Sequence, residues 1–501
     1  MSATRFSRNI AAVLAALAAL VIALGGLGAW AAADGAPRYS VVVYGGSFAG
    51  CAAARQAAAR LPDGARLLMV VPERALGSTG TVGGQNFFDL RHWRGQVVTR
   101  GSLTVWLAAF GQGYPTGAMA DRLYRDVVAA YRDRIDLLVN TEIETVRTGR
   151  QGGIESVTVR PVRYDPAAQA VVWAGPPTRI RGKIFIDASE TGRLARLAGL
   201  PHTVGRQDLA GDRHQQAVTL CFQLRGIDVE AARAWRSPIS GKPEFFFSRD
   251  ADGTWVGWGG ANFVWRDPVI AAYNNGSHPF TIKGYSIAEN TPGVWWANVL
   301  LMHNVDGRRQ ELDRGTPRWP DDAPEGAVST DRAFDALRSE IAGPRFLAAL
   351  RRFPGFAGAA LVRDGSGRPI TGEILYLRET IHGLRDGGFA LTGEEVRHAG
   401  TGPLNGADAA NFPGHIGLGF YWIDVNGYLK GEPVQTMEAP PNPVYIPADI
   451  LTNPAVPNLL TPGYAQSTDT TAWAAMRVIP NLTVCGDAAG ILAARLATAS
   501  F

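Results

Sequence analysis

Cysteine is scarce in this chain: 501 residues include three, Cys51, Cys221 and Cys485. They lie far apart, so no Cys-x-x-Cys pair exists for a zinc ribbon or a thioredoxin-like couple, and at most one disulfide could form. A four-thiolate iron–sulfur cluster is excluded for the same reason, and no metal site is expected. Charge is scarce as well, at 19% of residues with a net +4. No Lys/Arg run interleaves with aromatics, which argues against nucleic acid as a partner. Internal repeats are absent, as are low-complexity tracts beyond the first residues. Apolar residues and glycine, by contrast, are plentiful: 46% hydrophobic content and 59 Gly describe a folded chain, with length for two to four domains at roughly 100–200 residues each.

The one long hydrophobic run stands at the start. Arg5 and Arg8 precede an uncharged stretch from Ile10 to Ala33, and Ala29, Ala31 and Ala33 form a small-residue cleavage pattern. Residues 1–33 therefore read as a secretory signal or as an uncleaved membrane anchor formed by residues 10–33. Gly25, Gly26 and Gly28 weaken the later part as a spanning helix. Both readings put the body outside the cytoplasm, whether periplasmic, secreted or anchored. No Arg-Arg pair precedes the run, so nothing supports the twin-arginine route.

After Pro37 comes a short β-branched run, Tyr39-Ser40-Val41-Val42-Val43-Tyr44, then Gly45-Gly46-Ser47-Phe48-Ala49-Gly50, then an alanine-rich segment to about Arg60. Leu61-Pro62-Asp63-Gly64 ends that segment before a second apolar run, Ala65 to Val71. The order is strand, glycine turn, helix, strand, the arrangement that carries a dinucleotide. Gly45 allows the tight turn, a small residue at position 47 admits a pyrophosphate, and Gly50 lets helix and strand approach closely. Glu73, at the end of the second strand, is spaced to accept hydrogen bonds from an adenosine ribose. Ser47 stands where the fingerprint has its second glycine.

Further stretches along the chain carry a resemblance. Glu73-Arg74-Ala75-Leu76-Gly77-Ser78 is similar to the Glu-Arg-x-x-Leu-Gly-Gly segment of FAD-dependent oxidoreductases whose first loop reads Gly-Gly-Thr-Pro-Ala-Gly. Ile186-Asp187-Ala188-Ser189-Glu190-Thr191-Gly192 resembles their Ile-Asp-Ala-Thr-Gly segment, with Ser189 and Glu190 in place of Thr-Gly. Leu375-Tyr376-Leu377-Arg378-Glu379 and Ile416 to Asp424 follow in family order, and Asn458-Leu459-Leu460, Ser467, Arg477 to Pro480 and Gly486-Asp487-Ala488-Ala489-Gly490 close the chain. The likeness spans about residues 40–500, discontinuously. It implies an α/β fold: a Rossmann-like FAD-binding domain built from both ends of the chain (38–204 and 441–501) around an inserted β-rich α+β substrate domain (205–440). It also implies FAD as cofactor, held by Gly45, Gly46, Ser47, Phe48, Ala49, Gly50, Glu73, Arg74, Gly77, Ile143, Asp187, Gly486, Asp487 and Gly490. A helix beginning near Gly486 would aim its positive end at the flavin. Thr470, and Asn426 after Asp424, stand where relatives carry histidines, so no proton-transfer role is transferable to either.

No second Gly-x-Gly-x-x-Gly loop follows a strand after residue 200, so a separate nicotinamide domain is not expected. The reaction implied is hydride transfer from a small organic substrate to the flavin, with oxygen, a quinone or another acceptor taking the electrons. A flavoprotein with a non-redox role, or an NAD-binding enzyme using Glu73, are the alternatives, and oligomeric state is open. The insert reads as a largely antiparallel sheet with a helix near Thr330–Arg352. Its tryptophans, Trp255, Trp258, Trp265, Trp295, Trp296 and Trp319, read chiefly as packing residues and otherwise as stacking platforms. Arg378 and Glu379 are candidates for a site-lining pair, or for a salt bridge between domains. Asp424 is a further candidate, and Asp469 either approaches the flavin or caps the helix through Ala472 to Met476. His303, His382 and His415 are candidates for a general base near the flavin, each read first as structural, and Cys51 reads as a core residue.

Overall fold

A computed structural model describes residues 35–399 and 411–499. The expected signal or anchor lies outside the described residues. Among the described residues no helix is long and apolar enough to cross a membrane.

The first unit is a twisted sheet. β1 (Arg38–Tyr44) lies between β2 (Leu67–Val70) and a later strand, and β3 (Ile135–Leu138) extends the parallel set beyond β2. Two long strands, β4 (Thr141–Thr148) and β5 (Ile154–Asp165), and the short β6 (Ala170–Trp173) form an antiparallel flap. The flap leads into β7 (Thr178–Asp187), which runs parallel to β1 with Val43 opposite Ile186 and Tyr44 opposite Asp187. The valines of β1 are buried on both faces, because helices cover one side and an apolar cluster that includes Phe185, Ile143 and Leu194 covers the other. Late in the chain, Leu459–Leu460 adds one more parallel strand against Phe185 and Ile186 of β7. The C-terminal segment thus returns to the sheet that the N-terminal segment opens.

Helix α1 (Phe48–Ala58) follows β1, and its alanines make it thin. The last helix, Ile479–Thr498, lies along it. A Cβ on Gly486 would fall 2.2 Å from the Ala49 carbonyl oxygen, and one on Gly490 2.2 Å from that of Ala53. These glycines are therefore helix–helix contacts in mid-helix. The expectation of a helix beginning near Gly486 is corrected: it starts at Ile479, with Pro480 in its first turn where no backbone N–H is needed.

The second sheet is antiparallel, in the spatial order Phe245–Arg249, Trp255–Gly259, Phe280–Thr291, Val294–Met302, Phe222–Arg225 and Ala360–Leu361. On it Phe245 stacks on Tyr285, and Phe263, Phe353 and Phe356 pack edge-on or tilted around that pair. The helical region near residue 330 is two helices, Thr330–Ala342 capped by Ser329 and Pro344–Leu350, broken at Gly343 and Pro344. The two units share one apolar cluster, which runs from α1 through Leu220 and Phe222 to the second sheet. Trp295 and Trp296 belong to the buried interior, whereas Trp258 is 38% and Trp265 51% exposed.

Replacing Gly486 with Val should force α1 and the last helix apart. We expect a loss of about 1–3 kcal/mol, read as a lower urea midpoint at unchanged m-value; an unchanged midpoint would contradict the packing described.

Candidate functional site

Gly45 sits at φ +100°, and its N–H donates to the Val70 carbonyl at 2.9 Å, so the chain turns sharply off β1 while staying tied to β2. Only glycine holds that conformation without strain. A Cβ on Gly50 would lie 2.1 Å from the Gly45 oxygen, which is why the helix enters so close to the strand. Ser47 has a role of its own: its hydroxyl accepts from Gly50 N–H at 3.3 Å as the cap of α1 and donates to the Ala188 carbonyl at 2.7 Å. The hydroxyl in the glycine position thereby links the turn to the end of β7. Phe48 and Ala49 are buried, Phe48 against Phe88 and Trp106.

The loop opens onto a cavity of about 690 Å³, lined among others by Gly45, Gly46, Ser47, Glu73, Arg74, Glu142, Glu190 and Thr371. The volume is in the range of small-molecule sites. Glu73 follows β2, and its Oε1 shares the Ser78 hydroxyl, 3.2 Å away, with Glu190, while its Oε2 is buried with no hydrogen-bond partner among the described residues. Burial, and then the neighbouring Glu190, push its carboxyl from the ordinary 4.5 up to about 7. Arg74 stands at the cavity edge, paired with Glu373 at 2.7 Å. Gly77, at φ +102°, donates its N–H to the Gly46 carbonyl at 2.7 Å and so fastens this segment to the glycine turn.

On the floor, Tyr44 donates to Glu142 at 2.7 Å. Arg193 lies 3.5 Å from Glu142 and ion-pairs with Asp313, all of them buried. Arg193 also holds the Ile143 carbonyl at 2.7 Å. Asp187 accepts from the Ser189 hydroxyl at 2.6 Å and from Ala195 N–H at 2.8 Å, shaping the turn after β7.

Beyond Glu190 lies a second, narrow cavity of about 30 Å³, lined among others by Phe48, Asp89, Tyr376, Tyr464, Arg477 and Ile479. Arg477 is fixed there by Asp424 at 2.9 Å and by the Tyr376 hydroxyl at 2.9 Å. The first residues of the last helix, Ile479 and Leu482, face the same space, so the positive end of that helix lies beside Arg477. Gly486, Asp487 and Gly490 line neither cavity. Asp487 instead accepts from Ser102 N–H at 2.7 Å, the Ser102 hydroxyl at 2.6 Å and Gln56 at 2.8 Å.

Arg378 and Glu379 do not form a pair and line neither cavity. Arg378 is buried on neutral acceptors, the Ala217 carbonyl at 2.7 Å, the Thr219 hydroxyl at 3.0 Å and Asn298 at 3.2 Å. Glu379 instead binds His382 Nε2 at 2.9 Å, and that ring packs edge-on against Trp473. Asp469 caps the helix Thr470–Met476 by accepting from Ala472 N–H at 2.6 Å, and it also holds Gly393 N–H. Thr470 donates to Asp208 at 2.5 Å, and Asn426 accepts no hydrogen bond through its buried Oδ1. His303 is buried with its pKa lowered to about 4 by desolvation, and His415 is exposed. Cys51 is fully buried, which pushes its thiol well up.

Three groups at or near the site are not evident from motif reading. Glu190 accepts from the Ser78 hydroxyl at 3.0 Å and from the Thr79 hydroxyl at 2.6 Å. Glu142 has as its only sequence signal its place beside Ile143. Lys283 is buried with its Nζ on the Gly284 carbonyl at 3.2 Å, and its pKa falls to about 7 through desolvation and then Arg378. Neither pattern nor spacing announces a buried lysine.

The family model described as FAD dependent oxidoreductase matches residues 40–500. No curated protein matches the chain. Among solved structures, the myxobacterial chondrochloren halogenase is similar at 14% identity and TM-score 0.33, over 69% of this chain and 65% of that one. The match thus spans just under two thirds of the halogenase. The p-nitrophenol 4-monooxygenase of Pseudomonas putida is similar at 12% identity and TM-score 0.30, over 70% and 71%. A geranylgeranyl bacteriochlorophyll reductase-like protein of Thermoplasma acidophilum is similar at 16% identity and TM-score 0.28, over 53% and 57%.

Glu73 yields a pH prediction. Its pKa of about 7 lies above the ordinary 4.5, so its contribution to stability is fully present below about pH 4.5 and is lost as the pH rises through about 7. In protein stripped of nucleotide, wild type should lose ~2 kcal/mol relative to Glu73→Gln between about pH 5 and about pH 8, after screening at the cavity mouth. Urea unfolding of both proteins at the two pH values measures the difference, and parallel pH dependences would refute it.

Proposed function

The chain belongs to the FAD-dependent oxidoreductases, and on that footing we propose that it takes a hydride from a small organic substrate and passes the electrons to oxygen, a quinone or another non-nicotinamide acceptor. The absence of a second dinucleotide loop from the sequence supports the choice of acceptor class. With the apolar run at residues 10–33 as its leader, we place this activity outside the cytoplasm.

The observation that carries the cofactor assignment is the Glu73 Oε2, buried at the wall of the large cavity with no donor among the described residues. A buried carboxylate oxygen left unpaired is costly, and the adjacent hydroxyls of a ribose are donors of the right kind. Gly46 and Ser47 line the same cavity and lead into the first turn of α1, whose Phe48 and Ala49 line the narrow one; the first N–H groups of a helix have no intrahelical partner and suit a diphosphate. Both features fit the adenosine half of FAD. When bound, FAD supplies a two-electron acceptor that the side chains themselves lack.

The rest is work for the chain. Arg477, held rigid by Asp424 and Tyr376, keeps a positive charge at the narrow cavity. With the N-terminal end of the last helix beside it, that charge favours negative charge in whatever lies there. Phe48, Tyr376 and Tyr464 exclude water from the same space. Gly486 and Gly490 contribute by seating the helix on α1, and Asp487 by anchoring Ser102.

The test is the visible spectrum of residues 34–501 and the identity of the small molecule released on denaturation. Flavin absorption bands, FAD released, and bleaching by an added substrate under anaerobic conditions are expected. Glu73→Ala should weaken FAD binding by about 1–3 kcal/mol with the fold intact. A colourless protein, or one releasing NAD alone, would overturn the assignment, and a flavin that no metabolite reduces would overturn hydride transfer.

A further inference from the structure

Glu190 stands at the junction of the two cavities. The large and the narrow cavity share three lining residues, Ser47, Ala188 and Glu190. Of these only Glu190 has a long charged side chain. Its carboxylate reaches from the turn after β7 to the opposite segment, where it accepts from the Ser78 hydroxyl at 3.0 Å, the Thr79 hydroxyl at 2.6 Å and the Thr79 N–H at 3.3 Å. Ser78 lines the large cavity and Thr79 the narrow one, so this carboxylate bridges the passage between them.

A dinucleotide with its ribose on Glu73 and its ring beside Arg477 has to pass through that junction. Its diphosphate is an anion seeking hydroxyl and backbone N–H donors, and those of Ser78 and Thr79 at the junction already hold a carboxylate. Two negative groups cannot share them in a low-dielectric passage without strong repulsion. We propose that Ser78 and Thr79 form a phosphate-binding subsite for which Glu190 is a built-in competitor, so that the cofactor must displace Glu190 from these donors to connect the two cavities. The inference rests on FAD being the ligand, as proposed above. It adds that this one side chain sets how tightly FAD is held and how far the narrow cavity opens.

The test uses the full chain as purified, in the wild-type, Glu190→Gln and Glu190→Ala forms. Circular dichroism establishes folding, and FAD release is followed by the rise of flavin fluorescence after dilution, with readdition of FAD to measure affinity. Both variants should hold FAD more tightly, releasing it about tenfold more slowly, the scale of one contested charge-assisted hydrogen bond. Glu190→Ala serves where the amide of Gln makes new bonds to Thr79. Wild type carrying FAD, with both folded variants releasing it at the same rate or faster, would overturn the competitor role and leave the FAD assignment standing. All three proteins folded and none taking up FAD would overturn both. Uptake by the variants alone would support the inference in its strongest form.

Discussion

The site depends on backbones that meet closer than any side chain would allow. A Cβ on Gly50 would intrude on the Gly45 carbonyl oxygen at 2.1 Å, and those on Gly486 and Gly490 on the Ala49 and Ala53 oxygens at 2.2 Å each. These contacts stack the glycine turn, α1 and the last helix into one rigid block, because packed interiors do not deform by small amounts. The start of the last helix is thereby fixed seven residues before Gly486, at Ile479. It is this start, and not the glycines, that reaches the narrow cavity. A glycine motif far from a ligand can thus be as strict as one that touches it.

How much of this was legible depends on whether the cause is local. Strand, turn and helix from Tyr39 to Arg60 are set by β-branched residues, glycine and alanine in sequence order, and the structure forms β1 and α1 there. Glu73 is found by its distance from the turn. For Asp469 the sequence allows a flavin contact or a helix cap, and the cap in the local Asp-Thr-Thr pattern is what the structure uses. The misreadings share another cause. Gly486-Asp487 follows a motif order that says nothing of where a helix begins, and Pro480, six residues earlier, is the local signal that does. Arg378 and Glu379 are neighbours in sequence but point to different partners, one to carbonyl and amide oxygens and the other to His382. Which acceptor a buried side chain meets is settled by strands far away in the chain, such as Val218–Thr219 and Val294–Met302, and no spacing encodes it.

Ser47 and Glu190 show that departures from a motif need not be losses. A hydroxyl at position 47 caps α1 and grips Ala188, so the turn gains an anchor where a glycine would only save space. A carboxylate at position 190 takes up donors from the facing segment. Both residues lie at the same junction, since Ala188 and Glu190 belong to one turn after β7. The two substitutions tie the N-terminal loop and the β7 turn together from opposite sides, which a glycine pair could not do.

Charge around the narrow cavity is distributed unevenly, and that bears on what the cavity favours. Arg477 pairs with Asp424 at 2.9 Å, and Asp89 lies 3.5 Å from Arg91. Among the described residues Arg378 has only neutral acceptors and Lys283 only a carbonyl. Burying cations without carboxylates is expensive, and Lys283 answers by a pKa lowered to about 7, so that it sheds much of its charge near neutrality. A guanidinium has no such escape. Arg378 therefore remains a fixed positive charge, stacked 4.5 Å above the ring of Tyr376, and Tyr376 itself lines the cavity. Acting through a low-dielectric interior, that charge stabilises any negative charge that builds up beside Tyr376.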